Sequence, residues 1–214
     1  MKKDKPGKNL YEDVVWLIEP EYDWIDKYRE GLAPIAKKGK WGFVNSDGII
    51  VISPQFGRVM EFSEGLAGVY TGNKWGFINK IGQIVIVPQF DEPPDVFHEG
   101  LAKVAIKSEG IRGNIDLYGF IDNSGMMVLP PFYNDAGYFS SGLAPARIDN
   151  KYGYIDKTGR FVLGEIFDHA LSFSNNKALV CIDQKWGLIK HPLYANSLNE
   201  HLERQLSKKS LDDD

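Results

Sequence analysis

The chain has 214 residues, 43% of them hydrophobic and 25% charged, a composition typical of a soluble globular protein with a sizeable core. Its formal net charge of −4 supplies no overall positive field, so we expect neither nucleic acid nor a membrane surface as a partner. The single cysteine, Cys181, excludes an intramolecular disulfide and favours a reducing compartment. Because the first residues show no secretory signal and no apolar run is long enough to span a bilayer, the sequence predicts a cytoplasmic protein.

The chain begins with a charged stretch, residues 1–13, for which we predict a flexible N-terminus. Residues 18–22 then read Ile-Glu-Pro-Glu-Tyr and match the later segments 52–56 and 86–90, in which isoleucine, proline and an aromatic residue keep the same spacing. The chain therefore opens on the last strand of a repeating unit.

An aromatic residue followed by glycine recurs along the chain with spacings of 34, 43, 34 and 34 residues. The aromatic residues of these pairs are Trp41, Trp75, Tyr118, Tyr152 and Trp186. A Gly-Leu-Ala marker, with Glu before it in the first three units, precedes each of the first four pairs. Two markers that recur in the same order indicate an array of five related units within residues 14–193.

Each unit reads as short antiparallel strands, and the second unit shows the pattern clearly. Residues 66–70 and 74–78 predict two strands, residues 79–82 predict a type I turn that ends on a left-handed glycine, and residues 84–87 predict a third strand. The third strands are predicted to end at the prolines at positions 54, 88 and 130, which cannot donate to a ladder and so mark a strand edge or exit. The third strands are apolar throughout, which predicts that both of their faces are covered.

We interpret the aromatic-glycine pairs as packing elements between units, with the glycine leaving room for a ring of the neighbouring unit. The alternative is a row of exposed aromatic residues that grips sugar or peptide.

The two ends of the array are complementary. The fifth unit breaks off at His191-Pro192 after two strands, whereas the chain opens on a third strand. We therefore predict an all-β fold of three- to four-stranded antiparallel units, arranged as a five-bladed, propeller-like ring that the N-terminal strand closes. The alternative is an open β-solenoid of hairpins, in which the two fragments act as caps.

Residues 194–214 differ from the repeats. Leu198, Leu202 and Leu206 are spaced by four residues and predict a short amphipathic helix, followed by a charged tail that we expect to be disordered. The helix is expected to dock on the β-body or, alternatively, on a partner.

The repeat resembles a known family at residue level. Residues 62–67 (Phe-Ser-Glu-Gly-Leu-Ala), 74–80 (Lys-Trp-Gly-Phe-Ile-Asn-Lys) and 82–91 are similar to the bacterial WG, or KWG, repeat almost position for position. The resemblance covers about residues 18–189. It implies a bacterial protein built from β-repeats, and it implies no single activity.

The sequence contains no cluster that predicts catalysis. His98, His169, His191 and His201 fall at different repeat phases without partners at metal-ligand spacing, and no nucleotide-binding or nucleophile motif occurs, so we expect no metal, cofactor or enzymatic activity. For the repeated Glu30, Glu64 and Glu99, we expect a structural hydrogen bond beside the turn glycine. The acidic turn at residues 91–95 is at best a weak cation site.

The third unit breaks the repeat with an insertion around residues 107–117 that lengthens a hairpin. Because binding residues concentrate on loops of a rigid scaffold, we place a candidate partner contact there. Its residues are Lys107, Glu109, Arg112 and Asn114. We expect a non-catalytic protein-interaction module: an adaptor, regulator or inhibitor subunit. The alternatives are a binder of glycan or cell-wall polymer and, less favoured, an enzyme with a funnel-mouth site.

Overall fold

The computed structural model describes the backbone of residues 14–110 and 113–193, and this part of the chain is all β. The flexible N-terminus, the C-terminal helix and the disordered tail predicted for residues 1–13 and 194–214 lie outside the described residues. The described strands run in chain order as β1 (Trp24–Ile25), β2 (Leu32–Lys37), β3 (Lys40–Asn45), β4 (Ile50–Phe56), β5 (Arg58–Val59), β6 (Leu66–Tyr70), β7 (Trp75–Asn79), β8 (Ile84–Phe90), β9 (Leu101–Gly110), β10 (Gly113–Asp122), β11 (Met127–Tyr133), β12 (Asp135–Ala136), β13 (Leu143–Ile148), β14 (Lys151–Asp156), β15 (Phe161–Phe167), β16 (His169–Ala170), β17 (Lys177–Ile182) and β18 (Lys185–Lys190).

These strands form five antiparallel sheets, and in each sheet the strands are neighbours in chain order. Units one, two and four have four strands: β1–β4, β5–β8 and β12–β15. Unit three, β9–β11, has no short first strand, since Pro93 and Pro94 occupy that place and cannot donate to a ladder. Unit five ends with β18 and has no long third strand in the described part of the chain.

The predicted turns before the third strands are confirmed. At the first of them, the Gly48 amide donates to the Asn45 carbonyl at 3.1 Å, and Gly48 has a φ of 79°. The Asn45 side chain accepts a hydrogen bond from the amide of Ile49 at 2.8 Å. Equivalent glycines close the turns of the next three units with φ between 82° and 85°. A left-handed residue at this place suits glycine, so the turn sets the register of the third strand.

The Glu-Gly markers form two-residue turns in which both central residues have positive φ, the geometry that matches the twist of a tight hairpin. In unit one, Arg29 and Leu32 exchange two backbone hydrogen bonds across Glu30 (φ 51°) and Gly31 (φ 87°). Glutamate is an unusual residue for the left-handed region, so its presence requires an explanation outside the turn.

That explanation is a hydrogen bond to the next unit. The Glu30 carboxylate accepts from the amides of Glu64 and Gly65, which belong to the turn of unit two, at 2.8 and 3.0 Å. Glu64 accepts in the same way from the Gly100 amide at 2.8 Å, and Glu99 from the Gly142 amide at 2.9 Å. Glu30 thus binds two amides of the following turn, whereas Glu64 and Glu99 each bind one, and the expected structural hydrogen bond joins consecutive units.

The core lies between units, and one aromatic contact recurs at each junction. Phe43 of unit one meets Phe62 of unit two edge to face, with ring centroids 4.7 Å apart. The same contact joins the following units through the pairs Phe77–Phe97, Phe120–Phe139 and Tyr154–Phe173, with centroids 4.8–5.0 Å apart. Phe62 is 2% exposed and the other rings are at most 1% exposed, so these rings form the centre of each interface.

The role predicted for the repeated glycines is wrong. A Cβ at Gly76 would lie 2.6 Å from the Ile86 carbonyl oxygen and 2.8 Å from the Pro88 nitrogen, which are backbone atoms of the same unit's third strand. Trp75 pairs with Phe90, and Phe77 pairs with Ile86. Between these two pairs, β8 has three residues and β7 has only one, Gly76, so β8 bulges across the glycine. The glycine makes room for this bulge, not for a neighbouring ring. The prolines lie within the bulge and do not end the strand, so that part of the prediction is wrong. They do lie on strands at the edge of their sheets, which was the other place predicted for them.

The third strands are also not covered on both faces. Val51, Val85, Val128 and Val162 occupy the same place in β4, β8, β11 and β15, and all four are exposed. These strands lie at the edge of their sheets, and only their inward residues, such as Ile52 and Phe56, are buried. The apolar outer face is therefore a surface feature of the array.

The predicted ring is not found in the described residues. Ile18 and Tyr22 pack against Ala33, Ile35 and Val44 of unit one. A Cβ at Gly48 would lie 3.2 Å from Ile18, just as one at Gly82 would lie 3.3 Å from Ile52. The N-terminal segment thus covers unit one as a third strand covers the unit after it. It forms no ladder with β18, and the five sheets stay separate.

We expect the Glu30→Ala variant to lose about 1 kcal/mol of unfolding free energy, because two amides of unit two lose a charged acceptor. Burial acts to raise the pKa of Glu30, but hydrogen bonds from the Gly65 amide and Lys80 hold it below its ordinary value. The stability contributed by this carboxylate is therefore present above its ordinary pKa and is lost as the pH falls through the folded-state value. Urea unfolding at neutral and acidic pH measures the difference. Glu165→Ala, at an exposed position of β15, is the control and should behave as wild type at both.

We expect Gly76→Ala to lower the unfolding free energy by more than about 2 kcal/mol, because its Cβ would overlap backbone atoms that cannot move without breaking the bulge. Gly187→Ala tests the same substitution at the equivalent place in unit five, where nothing lies within 4 Å of the added Cβ. Thermal unfolding should show a large loss for the first variant and little change for the second. Equal losses would show that the bulge is not the reason for the glycine.

Candidate functional site

A groove of about 520 Å³ lies between units four and five. We call it the aromatic groove. Its lining residues are Asp135, Ala136, Gly137, Tyr138, Pro145, Tyr152, His169, Ala170, Leu171, Ser172 and Trp186. They come from β12–β14 and β16–β18 and from the segments that follow the short strands β12 and β16. Because these elements belong to two sheets, the groove exists only through the stacking of one unit on the next.

The floor of the groove depends on a close approach between the two units. A Cβ at Gly137 would lie 2.7 Å from Pro145 Cγ and 2.8 Å from Ser172 Oγ. Ser172 of unit five donates its hydroxyl proton to the Tyr138 carbonyl of unit four at 2.8 Å. Any side chain at position 137 would occupy this space, so glycine keeps the floor low and the groove open.

One wall is formed by Tyr152, whose hydroxyl donates to Asp135 Oδ2 at 2.5 Å. Burial, and then the hydrogen bond to the Asp135 carboxylate, raise the pKa of Tyr152 to about 12. The Arg147 guanidinium lies over the Tyr152 ring at 5.6 Å from its centroid. The phenol is thus held neutral and oriented, and it offers the groove a ring face with its polar end already engaged.

His169 and Trp186 continue the aromatic surface. The His169 ring lies nearly parallel to Trp186 with centroids 6.0 Å apart and faces Tyr152 at 6.3 Å. On the other side, Tyr138 stacks on His98 of unit three at 4.4 Å. Trp186 is 57% exposed and Tyr138 is 42% exposed, so two large ring faces reach solvent at the mouth of the groove.

The chemistry of the groove favours binding by stacking and apolar contact. Asp135 and Ser172 use their side-chain groups within the scaffold, and Tyr152 does the same. Flat rings on an open groove suit an aromatic, prolyl or sugar ring. Within residues 14–110 and 113–193, no group of three or more His, Cys, Asp or Glu side chains is arranged to hold a metal ion.

The five repeat aromatics lie on one side of the array but differ in exposure. Trp75 is 6% exposed and belongs to the core between units two and three, whereas Trp41, Tyr118 and Tyr152 are partly buried. Tyr118 and Tyr152 pack at the edge of the next two interfaces. A second groove, of about 400 Å³, lies between Trp41 and Trp75. Four of these aromatics, Trp41, Trp75, Tyr152 and Trp186, therefore line a groove between two units.

The candidate residues of the third-unit insertion lie elsewhere. The insertion extends β9 and β10 into a long ladder that continues to Gly110 and Gly113, with Glu109 opposite Asn114. Lys107 forms an exposed ion pair with Glu92 at 3.2 Å. Arg112 lies outside the described residues. Lys107 is not among the residues that line the aromatic groove.

Sequence reasoning missed the groove residues Asp135, Tyr138 and His169. Their positions follow the third strand of a unit, where the other units carry different residues, such as Trp24 and Arg58. This variation within a regular repeat was the available signal.

Comparison with known families gives five matches. A family model described as a WG containing repeat matches residues 15–41, 41–75, 75–108, 118–152 and 152–186. A search of curated proteins found no match. Among the described residues there is also no helix with the length and apolar character needed to cross a bilayer.

We expect Asp135→Asn to lower the pKa of Tyr152 but to leave it above the ordinary value of tyrosine, because burial is the larger cause of the shift. A raised tyrosine pKa contributes stability below the unfolded-state value of about 10, and this contribution is lost as the pH rises through the folded-state value. Alkaline titration of tyrosinate absorbance, with Tyr152→Phe subtracted, isolates this residue. An unchanged titration in Asp135→Asn would show that the hydrogen bond does not influence the phenol.

Proposed function

The chain belongs to the WG-containing repeat family, and we propose that its array is a non-catalytic module that binds another protein through the aromatic groove. The observation that carries the proposal is the open groove itself, in which Tyr138 and Trp186 present exposed ring faces above an apolar floor. The partner is a protein whose apolar or aromatic side chains enter this groove. The module acts as an adaptor, regulator or inhibitor subunit.

Two features support a protein partner. Tyrosine, tryptophan and histidine dominate the groove, and rigid aromatic residues are the usual anchors of protein interfaces. The net charge of −4 offers no general attraction for nucleic acid, so neither nucleic acid nor a membrane is part of the proposal.

The long β9–β10 hairpin supplies a second contact in this proposal. It extends five residues further than the equivalent hairpin of unit two, from β9 residues 101–110 against β6 residues 66–70. Lys107, Glu109, Arg112 and Asn114 are its candidate contact residues. The single cysteine supports a reducing, cytoplasmic setting, and the family resemblance supports a bacterial one.

The second candidate function is binding of a glycan or cell-wall polymer. The observation that favours it is the pair of exposed ring faces at Tyr138 and Trp186, because sugar rings stack on such faces. The two candidates differ in their ligand, so a glycan array and a protein capture experiment distinguish them.

The Tyr138→Ala variant tests the groove. We expect the wild-type protein, used as immobilised bait in a lysate of its host, to retain a defined protein that Tyr138→Ala retains at least about tenfold less, as expected for loss of an aromatic anchor. Quantitative mass spectrometry of the retained proteins measures the ratio. Thermal unfolding of both baits confirms that Tyr138→Ala is folded despite losing its stacking contact with His98.

Phe132→Ala is the matched control, since Phe132 is an exposed aromatic residue of the neighbouring unit three that does not line the groove. It should retain the partner as wild type does. A bait that lacks residues 108–115 asks separately whether the hairpin contributes. Equal retention by Tyr138→Ala and wild type would rule out the groove as the protein site, and Tyr138-dependent binding on a glycan array would favour the second candidate.

A further inference from the structure

We propose that the open end of unit five binds the N-terminal segment of a second copy of this chain, so that copies associate head to tail. This surface is the outer edge of β18 and meets the aromatic groove only at Trp186, and the inference does not depend on the proposed function. It rests on what units one to four have in common and on what the two ends of the described chain lack.

In units one to four, the second long strand always has a third strand beside it. The register is the same each time: Trp75 pairs with Phe90 and Phe77 with Ile86 in unit two, and the other three units repeat these pairings. In unit five, β18 provides the equivalent residues Trp186 and Leu188, and the described chain provides no third strand.

The consequence is an apolar position left open. Leu188 is 61% exposed, whereas its equivalents Phe43, Phe77, Phe120 and Tyr154 are at most 1% exposed. Gly187 shows the same vacancy, because a Cβ there would meet no atom within 4 Å. At Gly42, Gly76, Gly119 and Gly153, that space holds a carbonyl oxygen of the third strand, 2.2–2.6 Å from the added Cβ.

The N-terminal segment has the sequence of a third strand, which unit five lacks, but no second strand lies beside it in the described residues. Residues 18–22 carry the isoleucine, proline and aromatic spacing of β4 and β8, and they already cover unit one as a third strand covers the unit after it. Within the described residues, they form no ladder with a second strand. Transferring the common register places Tyr22 of one copy beside Trp186 of the other, and Ile18 beside Leu188.

Charges agree with this register. In units two and four, the lysine before the aromatic-glycine pair binds the aspartate after the third strand: Lys74 to Asp91 at 2.6 Å and Lys151 to Asp168 at 2.5 Å. Lys185 and Asp23 hold these two positions at opposite ends of the array. Asp168 binds Lys151 through Oδ1 and the Asp183 amide through Oδ2. Asp23 makes the second of these bonds, to the Lys38 amide at 2.6 Å, and the register would bring Lys185 to its other oxygen.

A contact of this kind joins different surfaces of two identical chains, so the resulting dimer retains one free end of each type. Self-association should therefore continue beyond the dimer as concentration rises. Strand pairing would also give β18 a partner on the edge where the described residues provide none.

Sedimentation velocity of the full chain over a series of concentrations tests the proposal. We expect wild type to associate in a concentration-dependent manner, and Gly187→Val to weaken association by about tenfold or more, since a side chain there blocks the crossing strand. Its fold should persist, because the position is open in the single chain. Gly164→Val is the matched control at another exposed glycine with open space around it, and it should associate as wild type does.

Lys185→Glu should also weaken association, whereas Lys40→Glu should not. Lys40 is the equivalent exposed lysine of unit one, where Gly57 replaces the aspartate, so the two variants make the same charge change at the same repeat position.

Disulfide trapping then tests the register in a Cys181→Ala background. A mixture of Ile18→Cys chains and Leu188→Cys chains should form a disulfide between two chains that neither forms alone.

A wild-type chain that stays monomeric at every concentration would overturn the proposal, whatever segment then covers unit five. Association that Gly187→Val does not weaken would place the contact elsewhere and overturn it as well. In a chain that carries both cysteines, a disulfide formed within a monomer would show closure of a single array in place of association. Loss of partner capture by Tyr138→Ala is independent of all three results, so failure of this proposal and failure of the proposed function are distinguishable.

Discussion

The packing of one small sheet on the next is the interaction on which this structure depends. A sheet of three or four short strands cannot bury both its apolar faces by itself, and here the buried clusters combine residues of consecutive units. At the centre of each junction lies a ring pair such as Phe43 and Phe62. At its edge lies a carboxylate such as Glu30, which binds the amides of the next turn. The phenylalanines supply buried area, and the carboxylate sets the position of one unit on the other.

This dependence explains why residues that look unfavourable locally are present. Glu30, Glu64 and Glu99 adopt left-handed backbone conformations that glutamate rarely occupies. Asparagine would suit such a turn better, and unit five does have Asn175 and Asn176 there. The first three turns hold glutamate because its longer side chain reaches the following unit. Lys80 strengthens the first of these links by contacting both the carboxylate and the carbonyl of Glu30.

The two residues of the aromatic-glycine pair have different structural roles. The glycine lets the third strand cross closely over the second, and the aromatic residue lines a groove where two units meet. Around these constant positions, the residues after each third strand vary freely: Arg58 in one unit, Asp135 and His169 in others. A regular scaffold thus presents grooves of different chemistry, which is how a repeat array acquires a specific site. Trp186 lies at both the groove and the open end, so head-to-tail contact would extend the row of grooves from one copy into the next.

Much of this structure follows from the amino-acid sequence alone, because the signals are local. The strands follow from apolar alternation, the turns from Asn or Asp followed by Gly, and the five units from their spacing; the structure agrees at Asn45 and Gly48 and in the five sheets. Sequence also indicated a structural role for Glu30, but not that its partner belongs to the next unit.

What only the tertiary structure decided involves contacts between residues far apart in the chain. The atoms that face Gly76 depend on a strand ten residues away that crosses it in a bulge, which no local pattern encodes. Whether the array closes depends on the small rotation between units, which is set by side-chain packing at every junction and adds up along the chain. The aromatic groove likewise exists only where Tyr138 and Trp186, from different units, approach each other. Sequence by itself therefore determined the unit, and the packing between units decided how consecutive units join and where the groove lies.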